Sequence, residues 1–150
     1  MGRSDQRNAK TVAQPFMLTP DFSKYSLALF EEKRLIFSST DAGLRPLFES
    51  LDRYAGKTGL ILYDKVIGLA AAKLIVYTAI IAEVIAGVAS VPAKKFLEDN
   101  NIVISARHVV PNIMTRDRSA VCPGEVIALN TEASADFIRQ LKTMLENQRK

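Results

Sequence analysis

From Leu60 to Ala89 the chain is apolar almost throughout, and that stretch decides what it can fold into. Its punctuation divides it. Gly56-Lys57-Thr58-Gly59 breaks whatever precedes, and Leu60 to Tyr63 reads as a short buried strand. Asp64 stands ahead of Val66 to Ala82, a run of small and apolar residues that reads as a buried helix to about Ile80. Glu83 to Ala89 is a second buried strand. A membrane span is the rival reading. It needs roughly 20 apolar residues with few charges, whereas this run is slightly short and carries Lys73 at its centre. Strand, apolar helix and strand in that order make a parallel crossover, which is right-handed in nearly every sheet.

The flanks extend the same logic. Tyr25 to Phe30 alternates, Glu31-Glu32-Lys33 turns, and Arg34 to Ser38 pairs back as a hairpin. Ser39-Thr40-Asp41 offers capping side chains ahead of a helix carrying Leu44, Leu47, Phe48 and Leu51, with Pro46 in its first turn. Pro92 opens another helix, which ends at Asp99-Asn100-Asn101, and Ile102 to Arg107 is the last strand. Pro111 to Ala120 reads as a polar loop. Pro123 starts a short helix, and Ser134 begins an amphipathic one through Ile138, Leu141 and Leu145. The expected fold is a single α/β domain over residues 21–150. Its three layers are a mixed β-sheet with helices on both faces. Residues 1–20, polar and broken by Pro15 and Pro20, read as a flexible leader without the apolar segment of a secretion signal.

Charge and cysteine content narrow the partners. The net charge of +4 is dispersed, there is no Trp, and no cluster mixes basic with aromatic residues. That argues against nucleic acid, which takes a basic stripe on one face. One cysteine makes no internal disulfide and points to a reducing cytoplasm.

Two segments carry the reactive polar residues: Asp64-Lys65-Val66-Ile67-Gly68 and Cys122-Pro123-Gly124-Glu125. A helix start exposes unpaired N–H groups and a partial positive charge, and so suits an anion. Two readings of the first segment stand side by side. Asp64 caps its helix, or Lys65 and Gly68 receive a phosphate or carboxylate. Ala70, Ala71 and Ala72 let the helix lie close to the sheet, and Lys73 is expected to snorkel to solvent. Cys122 at a helix start is a candidate thiolate nucleophile, although a lone cysteine is more often a small buried hydrophobe. His108 is the sole imidazole that could serve it. Glu125 is a candidate general base, ligand group or cap. Arg116 pairs with Asp117 or clamps an anion, and Asn112 satisfies its loop or faces a ligand.

Together with Gly43-Leu44-Arg45-Pro46-Leu47, Pro111-Asn112 and Arg116-Asp117, these two segments resemble a small prokaryotic family of unknown function with a cytidine-deaminase-like fold. The resemblance covers roughly Tyr25 to Leu145. It implies the deaminase-like arrangement of the mixed sheet, and it permits one test of chemistry. Zinc deaminases open the helix after the hairpin with His-x-Glu and the helix after the third strand with Pro-Cys-x-x-Cys, holding a zinc that activates water. The matching positions here, near Gly43-Leu44-Arg45 and Asp64 to Gly68, contain neither His nor Cys. No metal site and no cofactor is expected, and zinc-dependent deamination is excluded from the expectations.

The sequence thus leads to a small-molecule-binding protein for a nucleotide or a ribosyl- or phosphate-bearing metabolite. Its cleft would have Asp64, Lys65 and Gly68 on one wall and Asn112, Arg116, Cys122 and Glu125 on the other. Two alternatives stand beside it. One is a metal-independent hydrolase or transferase using Cys122 or Glu125. The other is a homo-oligomeric interaction or scaffold protein, paired through a sheet edge or the final helix.

Overall fold

The structure is a computed structural model that describes residues 21–113 and 123–149. The leader at 1–20, and with it Arg116, Asp117 and Cys122, lie outside the described residues.

Strands β1 (Leu27–Glu31) and β2 (Arg34–Ser39) form the expected hairpin, and helix α1 (Arg45–Arg53) follows with Pro46 in its first turn. The polar run before α1 supplies no side-chain cap. Leu44 holds the cap position, and the Ser39 hydroxyl instead accepts the N–H of Asp41 at 3.1 Å. Strand β3 (Leu60–Ile67), α2 (Leu69–Thr78), β4 (Ile81–Ser90), α3 (Val91–Asp99) and β5 (Val103–Val110) then alternate. Helices α4 (Pro123–Asn130) and α5 (Ser134–Arg149) end the fold. α2 stops without glycine: Ala79 takes a left-handed conformation (φ 60°) and returns its N–H to Ile75 O. The Ser90 hydroxyl caps α3 by accepting the Ala93 N–H at 3.2 Å.

The sheet runs β2-β1-β3-β4-β5. β1 is antiparallel to both its neighbours, and β3, β4 and β5 are parallel. The architecture is therefore α/β on a five-stranded mixed sheet.

The helices depart from the expected three layers. Among the described residues they form one connected layer, with α2 touching α1, α3, α4 and α5. A helix across the sheet could not make such contacts, because the strands would lie between. The cause is the order of crossovers. From β3 to β4 to β5 the chain steps in one direction across the sheet, and right-handed crossovers that never reverse direction leave α2 and α3 on one side, where α1, α4 and α5 join them through their contacts with α2. Under that layer lies the core: Leu27, Leu29, Leu60, Leu62 and Val84 from the sheet, against Leu47, Leu51, Leu97, Phe137 and Leu141 from helices. On the opposite face a smaller cluster gathers Ala28, Phe30 and Tyr63 with Phe22, Tyr25, Ile61 and Ile85. Ring contacts between Phe30 and Tyr63 and between Phe22 and Tyr25 hold it together.

Candidate functional site

Parallel strands put their carboxyl ends on one rim. Register partners Ile67, Ala89 and Val109 mark it across β3, β4 and β5. The starts of α2 and α3 and the segment after β5 follow from this rim, so it is where the fold would present a ligand site.

The start of α2 is built differently from the sequence expectation. Asp64 does not cap it: β3 continues through Asp64 to Ile67, and the cap position falls on Gly68, which has no side chain to accept a hydrogen bond. The anion comes from elsewhere in the chain. Glu125, in the first turn of α4, reaches across. Its Oε2 accepts the Leu69 N–H at 2.7 Å and its Oε1 accepts the Ala70 N–H at 2.8 Å. The residue is only 4% exposed. A buried carboxylate on two helix-start N–H groups is the arrangement the helix dipole favours. Gly68 is what admits it, since a Cβ there would lie 2.5 Å from Glu125 Oε1.

A cation completes the pairing four residues further along α2. Lys73 is buried rather than extended into solvent. Its ammonium donates to Ala128 O at 2.6 Å and Thr131 O at 2.9 Å, at the end of α4. It also lies 5.7 Å from the Phe137 ring and 6.0 Å from that of Phe96. Burial holds its pKa below the ordinary lysine value, against an opposing pull from Glu132. The two helices thus run side by side in the same direction, with a negative group at the start of one and a positive group at the end of the other. Close packing accompanies this: a Cβ on Gly124 would come within 2.6 Å of Leu44 Cδ1 and 3.7 Å of Ala70 Cβ.

Asp64 and Lys65 take opposite sides of the sheet. Alternation from Leu60 and Leu62, which face the helices, puts Asp64 on the helical side and Lys65 with Tyr63 on the other. Asp64 sits between Leu27 of β1 and Ala86 of β4, and its Oδ1 accepts the Val66 N–H at 3.3 Å. Burial pushes its carboxyl up to about 8, overcoming the opposite pull of backbone N–H groups at Val66 and Lys65. The group therefore holds its proton near neutral pH. On the other face Tyr63 is pushed up to about 12 by burial, with lesser contributions from Tyr25 and Glu83.

Of the expected site residues, the structure brings Gly68 and Glu125 into contact. Asp64 lies in the strand three residues before the rim, and Asn112 is exposed two residues past the end of β5. Lys73 was missed as a constellation member, and its signal was there to read: a lysine amid apolar helix residues must find buried acceptors or leave the core. An open cleft of about 520 Å³ between α4 and α5, lined by Ile127, Arg139, Gln140, Thr143, Met144 and Asn147, includes none of the expected residues. Among the described residues, no three His, Cys, Asp or Glu side chains are grouped to hold a metal, and no helix is long and apolar enough to cross a membrane.

A family model described as a domain of unknown function (DUF1893) matches residues 21–145. The crystal structure of a DUF1893 family protein from Thermotoga maritima, at 2.70 Å resolution, is similar with a TM-score of 0.73 and 28% identity. The match covers 81% of this chain and 82% of that one. No curated protein matches the chain.

Proposed function

The chain belongs to the DUF1893 family of unknown function, and we propose that it is a small-molecule-binding protein whose ligand docks at the carboxyl-end rim beside Asp64. The observation that carries this is the Asp64 carboxyl, set on the helical side near the end of a parallel strand and pushed up to about 8. Perturbed carboxyls in such positions are candidate ligand or acid–base groups. A protonated carboxyl both donates and accepts, so it complements the paired N–H and C=O of a nucleobase edge or the hydroxyls of a ribosyl group. Asn112, past the end of β5 on the same rim, is the second polar contact.

The geometry moves the emphasis from phosphate to the nucleoside portion. Glu125 fills the helix start that would have received an anion, and Lys65 lies on the other face. In this reading Glu125 is a structural group, Arg116 is the remaining anion partner, and the protein works in a reducing cytoplasm without zinc-dependent deamination. The deaminase-like form of the fold belongs to the same proposal. It is supported by a hairpin followed by α1, and by α2 directly after the third strand, the two places where that family opens its helices.

The test is a thermal-shift panel of nucleosides, nucleotides and sugar phosphates on the intact protein and on Asp64→Ala, each against its own ligand-free melt. A nucleoside-containing compound should raise the melting temperature of the intact protein, and Asp64→Ala should abolish the rise. No rise with any compound, or an equal rise in the variant, would sink the proposal.

A further inference from the structure

The two edges of the sheet are unlike. On β2 the Tyr54 hydroxyl donates to Ile36 O at 2.7 Å, and the pairing of β2 with β1 slips between Leu29 and Phe30. Both features blunt an edge. β5 has neither. It is eight residues long, contains no Pro or Lys, pairs with β4 without a register shift, and has no strand on its outer side among the described residues. Its two most apolar outward positions are open, Val103 at 60% and Val109 at 47% exposed. Such an edge is a template for another strand.

The geometry points to a second copy of this chain as the occupant, its β5 added antiparallel about a twofold axis through Ala106. Twofold pairing of one strand with itself is restrictive. Residues opposite one another must share a face of the sheet, so the axis passes through a residue and not between two. An axis through Arg107 sets two guanidinium groups directly opposite, which is destabilising. An axis through Ala106 avoids this: the small alanines meet at the centre, Ser105 faces Arg107, Ile104 faces His108, and Val103 faces Val109 at both ends. Ile104 and Ala106 already pack against the core on the helical side. By alternation Val103, Ser105, Arg107 and Val109 therefore line the other face, and the twofold closes their exposed valines into two apolar pairs. The assembly is a continuous ten-stranded sheet.

The experiment is sedimentation velocity over a range of micromolar concentrations on the full chain, with far-UV circular dichroism to confirm folding. Intact protein should sediment as a dimer. Val103→Lys with Val109→Lys sets like charges opposite at both ends and should weaken the dimer about tenfold or more. Val103→Lys with Val109→Glu sets opposite charges there and should restore it. Both side chains are exposed, so neither pair threatens the fold. A monomer at every concentration overturns the inference, as does a dimer indifferent to the lysine pair. So does a lysine–glutamate pair as weak as the double lysine, since that denies the register.

Discussion

Asp64→Asn should make the protein more stable, and by an amount that grows with pH. The folded carboxyl titrates at about 8 against an ordinary 3.8. Between those values the folded chain keeps a proton that the unfolded chain has released. The linkage sign follows: the group costs nothing below about 3.8, costs progressively more as pH rises, and levels off above about 8. One proton of difference is worth about 1.4 kcal/mol per pH unit. From pH 5 to pH 7 the intact protein should therefore lose about 2.5 kcal/mol relative to the asparagine variant. Asparagine is close in shape and neutral at every pH, and the titrations of all other groups cancel in the difference. Urea unfolding of both proteins at pH 5, 6 and 7 gives the comparison, and the carboxyl carbon shift of Asp64 gives the titration directly. Two stability curves that stay parallel across this range would refute the reasoning. They would mean that Asp64 ionises in the folded state much as it does in the unfolded chain.

Glu125→Ala leaves the Leu69 and Ala70 N–H groups without their acceptors. It should cost about 3 kcal/mol in urea unfolding; a loss near zero would deny the carboxylate its part in holding α4. Gly68→Ala forces a methyl against Glu125 and should cost about 1–3 kcal/mol. Most of that cost should disappear when Glu125→Ala is already present, and a double-mutant cycle that sums simply would contradict the contact. Lys73→Met keeps the apolar stem but removes the donor to Ala128 O and Thr131 O. A loss of about 1–3 kcal/mol, with faster amide exchange at the end of α4, is expected; unchanged exchange there would count against the cap.

The element order was legible because each boundary has a local cause. Pro46, Pro92 and Pro123 each sit in a first helical turn, and the short apolar run Leu60 to Tyr63, set off by the break at Gly56 to Gly59, reads as a buried strand. What was not legible depends on distant partners. Asp64 looks like a cap because it precedes an apolar helix. It lies within β3 because β4 pairs with that strand as far as Ala89 and draws residues 64–67 into the ladder. Glu125 and Lys73 read as a candidate base and a solvated lysine, since their acceptors and donors lie 55 to 58 residues away and leave no periodic trace. The placement of α2 and α3 on one side follows from crossover direction, which element order alone leaves open until the strand order is known.

The bonds from Glu125 and Lys73 also set a timetable for synthesis. Chains emerge amino end first, and α2 leaves the ribosome before α4 does. Until then its first N–H groups lack their carboxylate and Lys73 lacks its carbonyls, so the most apolar helix of the protein waits with both polar needs unmet. β1 to β5 and α1 to α3 can gather beforehand, but the helical layer closes only when the last fifth of the chain arrives. A nascent chain halted before Pro123 would thus present an open, protease-sensitive α2, and release of the full chain would seal it in one step.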